Sequence, residues 1–508
     1  MSLRHGYFTG TGYTYGAYSE FSPERLALLC LLRGQRPVDL SRPFRLLELG
    51  CGQGFHLCAQ AANYPDARFL GIDFNPDHIA HASSLAAAAG LDNVSFRQGD
   101  FLELEQDPAV LGEPFDLVVA HGILGWVSPQ VGASLLRLSA AALRPGGLLF
   151  LSYNTLPGWL AVLPFQHTIR SLQADHGAGL PALEAARNLF AAIKDVKGQL
   201  FEAQPALAPR LEGLNGLDAA YLLHEYNHSE WQPQYANQVI SQAGLQGLSY
   251  LGSATLAENF DALLPETYRQ LVQQQQQPAM KELVRDLLTN QAFRRDVYVK
   301  GLDPLWSREA LTGLEGLRFL SVADAQALER DDAFQFRLGF GEVDGNREWF
   351  GALMRSVDPQ PASLADLRRC EGCPPLPELL QNLVLLIGKG LLVLVPPERD
   401  PGPAQRFNRL VAERVTAGAP YRNLACPVSG NVHPFNDIDL LALHALQQGM
   451  PQDALLGCLD ESLQALDRKP MRDGRPVEGQ ERQAVLEALV QGFLQRSLPL
   501  MRRLGVLA

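Results

Sequence analysis

Cysteine, charge and long apolar runs are all scarce in this sequence. Only 7 of 508 residues are cysteine, an odd and scattered set, which argues against a disulfide framework and for a reduced, cytoplasmic compartment. No stretch reaches the roughly 18 uninterrupted apolar residues of a membrane helix, so membrane insertion is not expected. The most apolar region, 383–395, is broken by Gly388, Lys389 and Gly390. The opening residues Met1 to Gly6 lack the apolar stretch of a secretion signal. Basic residues are in deficit, 43 Lys+Arg against 55 Asp+Glu for a net charge of −12. That balance argues against nucleic-acid binding, which draws its affinity from phosphate neutralisation. With 46% hydrophobic residues the chain can bury several cores, and its length suggests about three domains.

From 43 to 160 short apolar runs alternate with helical patterns. Strands are expected at 45–49, 68–73, 94–98, 115–120 and 148–153, with helices at 55–63, 77–89 and 132–143, the last stopped by Arg144-Pro145-Gly146-Gly147. This alternation predicts an α/β, Rossmann-like doubly wound core whose ligands sit at the carboxyl ends of the strands. A Tyr-rich arm or lid (1–42) precedes it. The rest reads as mainly helical: an insertion (161–217), a segment 218–300 whose 233–255 helix and strand could complete the core sheet, a winged-helix-like region (301–400) and a helical C-terminal region (401–508). Within these, 183–201 and 218–227 read as helices, 376–387 followed by 390–395 as a helix feeding a β-hairpin, and 396–403 as a proline-rich linker.

The chemistry concentrates in Leu46-Leu47-Glu48-Leu49-Gly50-Cys51-Gly52-Gln53-Gly54-Phe55. Glycines allow a tight turn and close approach of a ligand to the backbone. A dinucleotide fingerprint would place glycine where Phe55 stands. Gly-x-Gly-x-Gly after an acidic Glu48 instead fits S-adenosylmethionine, which has no phosphate but carries an ammonium, a carboxylate, a ribose and an adenine. Asp73 closes the second strand, where its carboxylate can accept from the ribose hydroxyls, and Phe74 can pack on adenine. Asp100, beside Phe101, suits the adenine amino group.

The core resembles the class I S-adenosylmethionine-dependent methyltransferases. The segments Asp73–Pro76, His121–Trp126 and Ser152–Trp159 resemble the bacterial group that carries a methyltransferase regulatory domain, and 220–227 and 290–295 resemble the two ends of that domain. The group includes rickettsial protein lysine methyltransferases that modify an outer membrane protein. The resemblance implies cofactor contacts at Glu48, Gly50, Gly52, Asp73 and Asp100, to which the loop residues Cys51 and Gly54, and Phe74, Phe101 and His121, are added as candidates. The resemblance extends to a homodimer but leaves the acceptor open: the size of the chain favours a protein, with lysine preferred, over a small metabolite or another side chain, and a cofactor-binding module without turnover is the alternative of another class.

A lysine acceptor has a free pKa of about 10.4 and must lose its proton before it can attack. An apolar pocket beside a positive charge favours the neutral amine, and aromatic faces suit it. Tyr153 and Asn154 are the preferred acceptor-side pair, with His121, Trp126 and Tyr15 as further candidates for the catalytic set. Tyr7, Tyr13 and Tyr18 belong to the same arm as Tyr15, and Trp159 to the same edge of the sheet. Competing signals are weaker. His224-Glu225-Tyr226-Asn227-His228 matches a zinc-protease pattern with Glu258 as a third ligand, but polar neighbours and Pro233 oppose it, and no metal is expected. Cys370 and Cys373 form a lone pair without a second pair at ribbon spacing, and the basic patch from Arg468 to Arg475 reads as a solvated turn.

Overall fold

The runs at 45–49 and 115–120 are mainly apolar, with Arg45, Glu48 and Asp116 as the exceptions, as suits strands covered on both faces. In the computed structural model, which describes residues 3–4, 7–8, 15–177, 179–214, 222, 226, 230–472 and 475–507, they lie at the centre of a seven-stranded sheet. Its strands are β1 (Arg45–Leu49), β2 (Arg68–Asp73), β3 (Val94–Gln98), β4 (Phe115–Ala120), β5 (Leu143–Asn154), β6 (Leu248–Ser253) and β7 (Phe293–Lys300). Their spatial order is 3-2-1-4-5-7-6. Strands β1 to β5 are mutually parallel, while β7 runs antiparallel to both β5 and β6.

The helices begin where their caps dictate. Asn75 accepts from the Asp77 amide ahead of Pro76–Ala88, and Ser128 from the Val131 amide ahead of Pro129–Ala142. The helix Phe55–Asn63 follows β1 directly. β5 starts five residues before the expected position, running through Arg144 to Gly147 with a register shift against β4. The expected helix 183–201 is divided into Leu180–Asp195 and Gln199–Ala203 by Lys197, at φ 54°, and Gly198. The helices Leu163–His176 and Leu180–Asp195 share a separate apolar cluster with Trp159, Tyr226 and Trp231. Of the expected helix 218–227, all but 222 and 226 lies outside the described residues.

In the region 301–400 the helix Leu376–Lys389 is followed by one strand and not by the expected β-hairpin. Leu392–Val395 does not open a hairpin with the residues after it, because Pro396 and Pro397 follow and proline cannot donate to a ladder. It pairs instead with Arg318–Ser321, which also pairs with Ala362–Ser363. The stretch 396–403 is also more than a linker. Arg399 lies 4.3 Å over the Tyr64 ring and donates to the Leu40 carbonyl, and the helix Gly402–Thr416 begins at once. That helix brings Phe407 to 5.6 Å from Phe55, and Asn63 donates to the carbonyl of Asn431 in the hairpin 423–434. One apolar cluster therefore runs from the α/β core into the C-terminal region.

Candidate functional site

β1 ends at Leu49 and turns through Gly50, Gly52 and Gly54, whose φ angles are +78°, +52° and +73°. A Cβ at Gly50 would stand 2.3 Å from Ile123 Cδ1, and one at Gly54 2.4 Å from Ala82 Cβ. Gly52 faces open space. Asp73, at the end of β2, ties the loop down: Oδ2 accepts from the Gly52 amide at 2.9 Å, Oδ1 from the Asn75 amide at 2.9 Å, and His78 Nδ1 lies 3.3 Å away. From the far side His81 Nδ1 reaches the Gln53 carbonyl at 2.9 Å, and its Nε2 lies 3.1 Å from the Tyr421 hydroxyl.

Over this loop lies a cavity of about 470 Å³ at the carboxyl ends of the strands. The ends of β1, β2 and β3 contribute Gly50, Gly52, Asp73, Phe74, Asp100 and Phe101 to its wall; β4, β5 and β7 contribute His121, Asn154, Phe293 and Arg295, joined by Tyr18, Trp126, Trp159 and Arg210. Asp100 also caps the short helix after β3. Glu48 is buried two residues before Gly50, and its Oε2 has no hydrogen-bond partner. Burial, with Asp73 adding like charge, pushes its carboxyl up to about 8. His121 is driven the other way, to about 3, by burial and by the Arg295 charge. Its ring is therefore neutral, with Nδ1 2.8 Å from the Ser152 hydroxyl, which accepts from the Gly122 amide. The Tyr18 ring lies 3.9 Å from that of His121.

Five sequence candidates are not on the cavity wall, the buried Glu48 among them. Tyr153 is fully buried on the opposite face of β5, its hydroxyl donating to Asp296 Oδ2 at 2.6 Å. Adjacent strand residues point to opposite faces, so Tyr153 and Asn154 cannot both reach the cavity; Asn154 does. Tyr15 packs on Tyr421 and His81, at 5.1 and 5.2 Å between ring centres, rather than on the cavity. Cys51 turns away from the cavity, its Sγ against Gly71, and Gly54 packs on Ala82 and Phe96. Tyr13 and both histidines of the zinc-like pattern lie outside the described residues. Glu258 is engaged by Ser253 and Gln291, and among the described residues no His/Cys/Asp/Glu group could hold a metal.

Arg295, Phe293, Ile123 and Arg210 were not anticipated as site residues. Arg294, next to Arg295, points the other way and is fully buried among Glu282, Asp286 and Asp296, at 2.8, 2.6 and 2.9 Å. That network fixes β7 and with it the two cavity-facing neighbours of Arg294. The basic patch is neutralised locally: Arg468 pairs with Asp437, Lys469 with Glu478 and Arg472 with Glu481.

Two family models match the chain: a methyltransferase domain at 40–189 and a predicted methyltransferase regulatory domain at 218–300. An uncharacterized Synechocystis protein is 30% identical over 520 residues, covering all of both chains. An uncharacterized Rickettsia prowazekii protein is 26% identical over 297 residues, 57% of this chain and 52% of its own. The structure of PKMT2 from Rickettsia typhi in complex with AdoHcy superposes with a TM-score of 0.70 at 20% identity, covering 97% of this chain and 100% of that one, and so shares its fold. The chain belongs to the class I S-adenosylmethionine-dependent methyltransferases that carry a methyltransferase regulatory domain.

Proposed function

We propose that this methyltransferase acts on the side-chain amine of a protein lysine. The observation that carries the reading is the acceptor half of the cavity. Tyr18, Trp126, Trp159 and Phe293 wall it with aromatic faces, and Asn154 adds an amide whose Nδ2 is buried without a partner. Among the described residues the carboxylates on the cavity wall are Asp73 and Asp100, both at the donor half. The fold neighbour solved with AdoHcy bears the name PKMT2.

The residues present fit the donor. Glu48, buried in β1 and not itself on the cavity wall, offers its unpartnered oxygen for an α-ammonium; on the wall Asp73 suits a ribose, and Asp100 with Phe74 and Phe101 an adenine. S-adenosylmethionine held there supplies a methyl group on a positively charged sulfur. The chain's own task is to present a neutral amine in line and to exclude water. A lysine enclosed by these rings beside Arg210 is shifted toward its uncharged form by both desolvation and like charge. His121, already neutral at pH 7, is too weak a base to take the proton, so the amine sheds it to water before it is enclosed. Tyr18, against His121, brings the N-terminal arm onto the wall.

The test is to incubate the full chain with methyl-labelled S-adenosylmethionine and fractionated bacterial lysate, then hydrolyse the labelled protein. Label in N-methyl-lysine supports the reading; protein label in another residue, or none, refutes it. A small carboxylic acid is the second reading, favoured by Arg210, which has no carboxylate partner among the described residues and rests on the Trp159 ring at 4.6 Å. Label confined to the low-mass fraction would favour that reading.

A further inference from the structure

The amino-acid end of the donor carries a carboxylate as well as an ammonium. Glu48, Asp73 and Asp100 can meet the ammonium, the ribose and the adenine, but an acidic set offers nothing to a carboxylate. Among the described residues two arginines line the cavity, and they stand in different places. Arg210 belongs to the helical segments after the core and lies on Trp159. Arg295 is on β7, in register with Ser152 of β5, whose hydroxyl holds His121 at the end of β4. β4 in turn pairs with β1, which feeds the glycine loop. Strand register therefore sets Arg295 on the core sheet beside Ser152, at the His121 side of the cavity, where its charge acts on His121, whereas Arg210 stands on the added helices.

Arg295 is also weakly engaged. Its Nε lies 3.3 Å from Glu20 Oε1 but without the alignment of a hydrogen bond, with the two side chains 29% and 26% exposed. Its Nη1 reaches Thr255 Oγ1 at a long 3.4 Å. A guanidinium beside a loosely held carboxylate can exchange it for one that accepts two aligned hydrogen bonds. We propose that Arg295 receives the carboxylate of the donor's amino-acid end, and that Glu20 of the N-terminal segment holds its place until the donor binds. β7 lies in the stretch that matches the regulatory domain, so that domain supplies a donor-binding residue and its docking is felt at the donor site. The inference rests on S-adenosylmethionine as donor and is independent of the lysine reading.

The test is calorimetry on the full chain with two probes. S-adenosylhomocysteine carries the carboxylate; S-adenosyl-3-thiopropylamine keeps the amine and nucleoside and lacks only that group. Arg295→Gln should weaken S-adenosylhomocysteine by about tenfold to a hundredfold, the worth of a charge-assisted hydrogen bond, and leave the thiopropylamine unchanged. Arg295→Lys should restore part of the loss, and Glu20→Gln should bind S-adenosylhomocysteine at least as tightly as the native chain. Equal losses for both probes would mean a merely structural arginine, and undiminished S-adenosylhomocysteine binding would mean no contact; either overturns the proposal. A weaker Glu20→Gln would overturn the place-holding role. Failure of the native chain to bind either probe would count instead against the donor site itself.

Discussion

Glu48→Gln gives the sharpest chemical handle on the donor site. In the free protein burial holds the Glu48 carboxyl near 8, so at pH 7 it is mostly protonated. An ammonium beside its unpartnered Oε2 favours the ionised form. Donor binding should then expel a proton, and affinity should climb with pH until about 8. Relative to that limit, S-adenosylhomocysteine should bind about tenfold more weakly at pH 7 and about a hundredfold more weakly at pH 6, one decade per unit below the pKa. Calorimetry in buffers of different ionisation enthalpy should count close to one proton released at pH 6.5. In Glu48→Gln the slope should vanish, with a loss of about 1.5–3 kcal/mol at pH 8 and convergence with the native chain near pH 6. The apo protein carries the matching signature in stability. With the folded pKa raised from 4.5 to about 8, the folded state binds more protons across that window, so the Glu48 contribution falls as pH rises through it and is absent from the variant. A pH-independent native affinity without proton release, or a glutamine variant that binds as tightly at pH 8, would refute the reasoning.

Other perturbations separate the neighbouring claims. Tyr421→Phe removes the hydroxyl on His81 Nε2 while keeping the ring on Phe55 at 4.8 Å, so the C-terminal region stays docked but the Gln53 turn loses its support. A drop of about 1 kcal/mol in S-adenosylhomocysteine affinity, read by calorimetry, is expected. Gly50→Ala places a methyl group on Ile123 at a φ of +78°, which should lower donor affinity while circular dichroism shows a folded chain. Arg294→Met leaves Asp286, Asp296 and Glu282 without their shared cation and should destabilise the protein by about 3–5 kcal/mol in denaturant unfolding.

How much of this was legible depended on how local each signal was. The apolar runs of β1, β2, β3 and β4 and the glycine loop announce themselves within a few residues, and the structure sets them where that pattern expects. β7 escaped because Phe293–Lys300 carries Arg294, Arg295 and Asp296 in mid-strand. Such charges read as a loop until Arg294 is known to be neutralised by Asp296 and by Glu282 and Asp286 from a helix earlier in the chain, and Arg295 to stand beside Glu20. The same strand brings Phe293 and Arg295 to the cavity, so the missed strand and the missed site residues are one omission. Tyr153 was avoidable, since two-residue alternation along β5 already sets it opposite Asn154. The strand partner of Leu392–Val395 was not, because it comes from 318–321, more than seventy residues earlier.

The most direct measurement is a crystal structure of the full chain with S-adenosylhomocysteine. It should show the nucleoside over Gly52, the ribose hydroxyls on Asp73 and the adenine amino group at Asp100. A nucleoside bound elsewhere, or these side chains turned from it, would contradict the account.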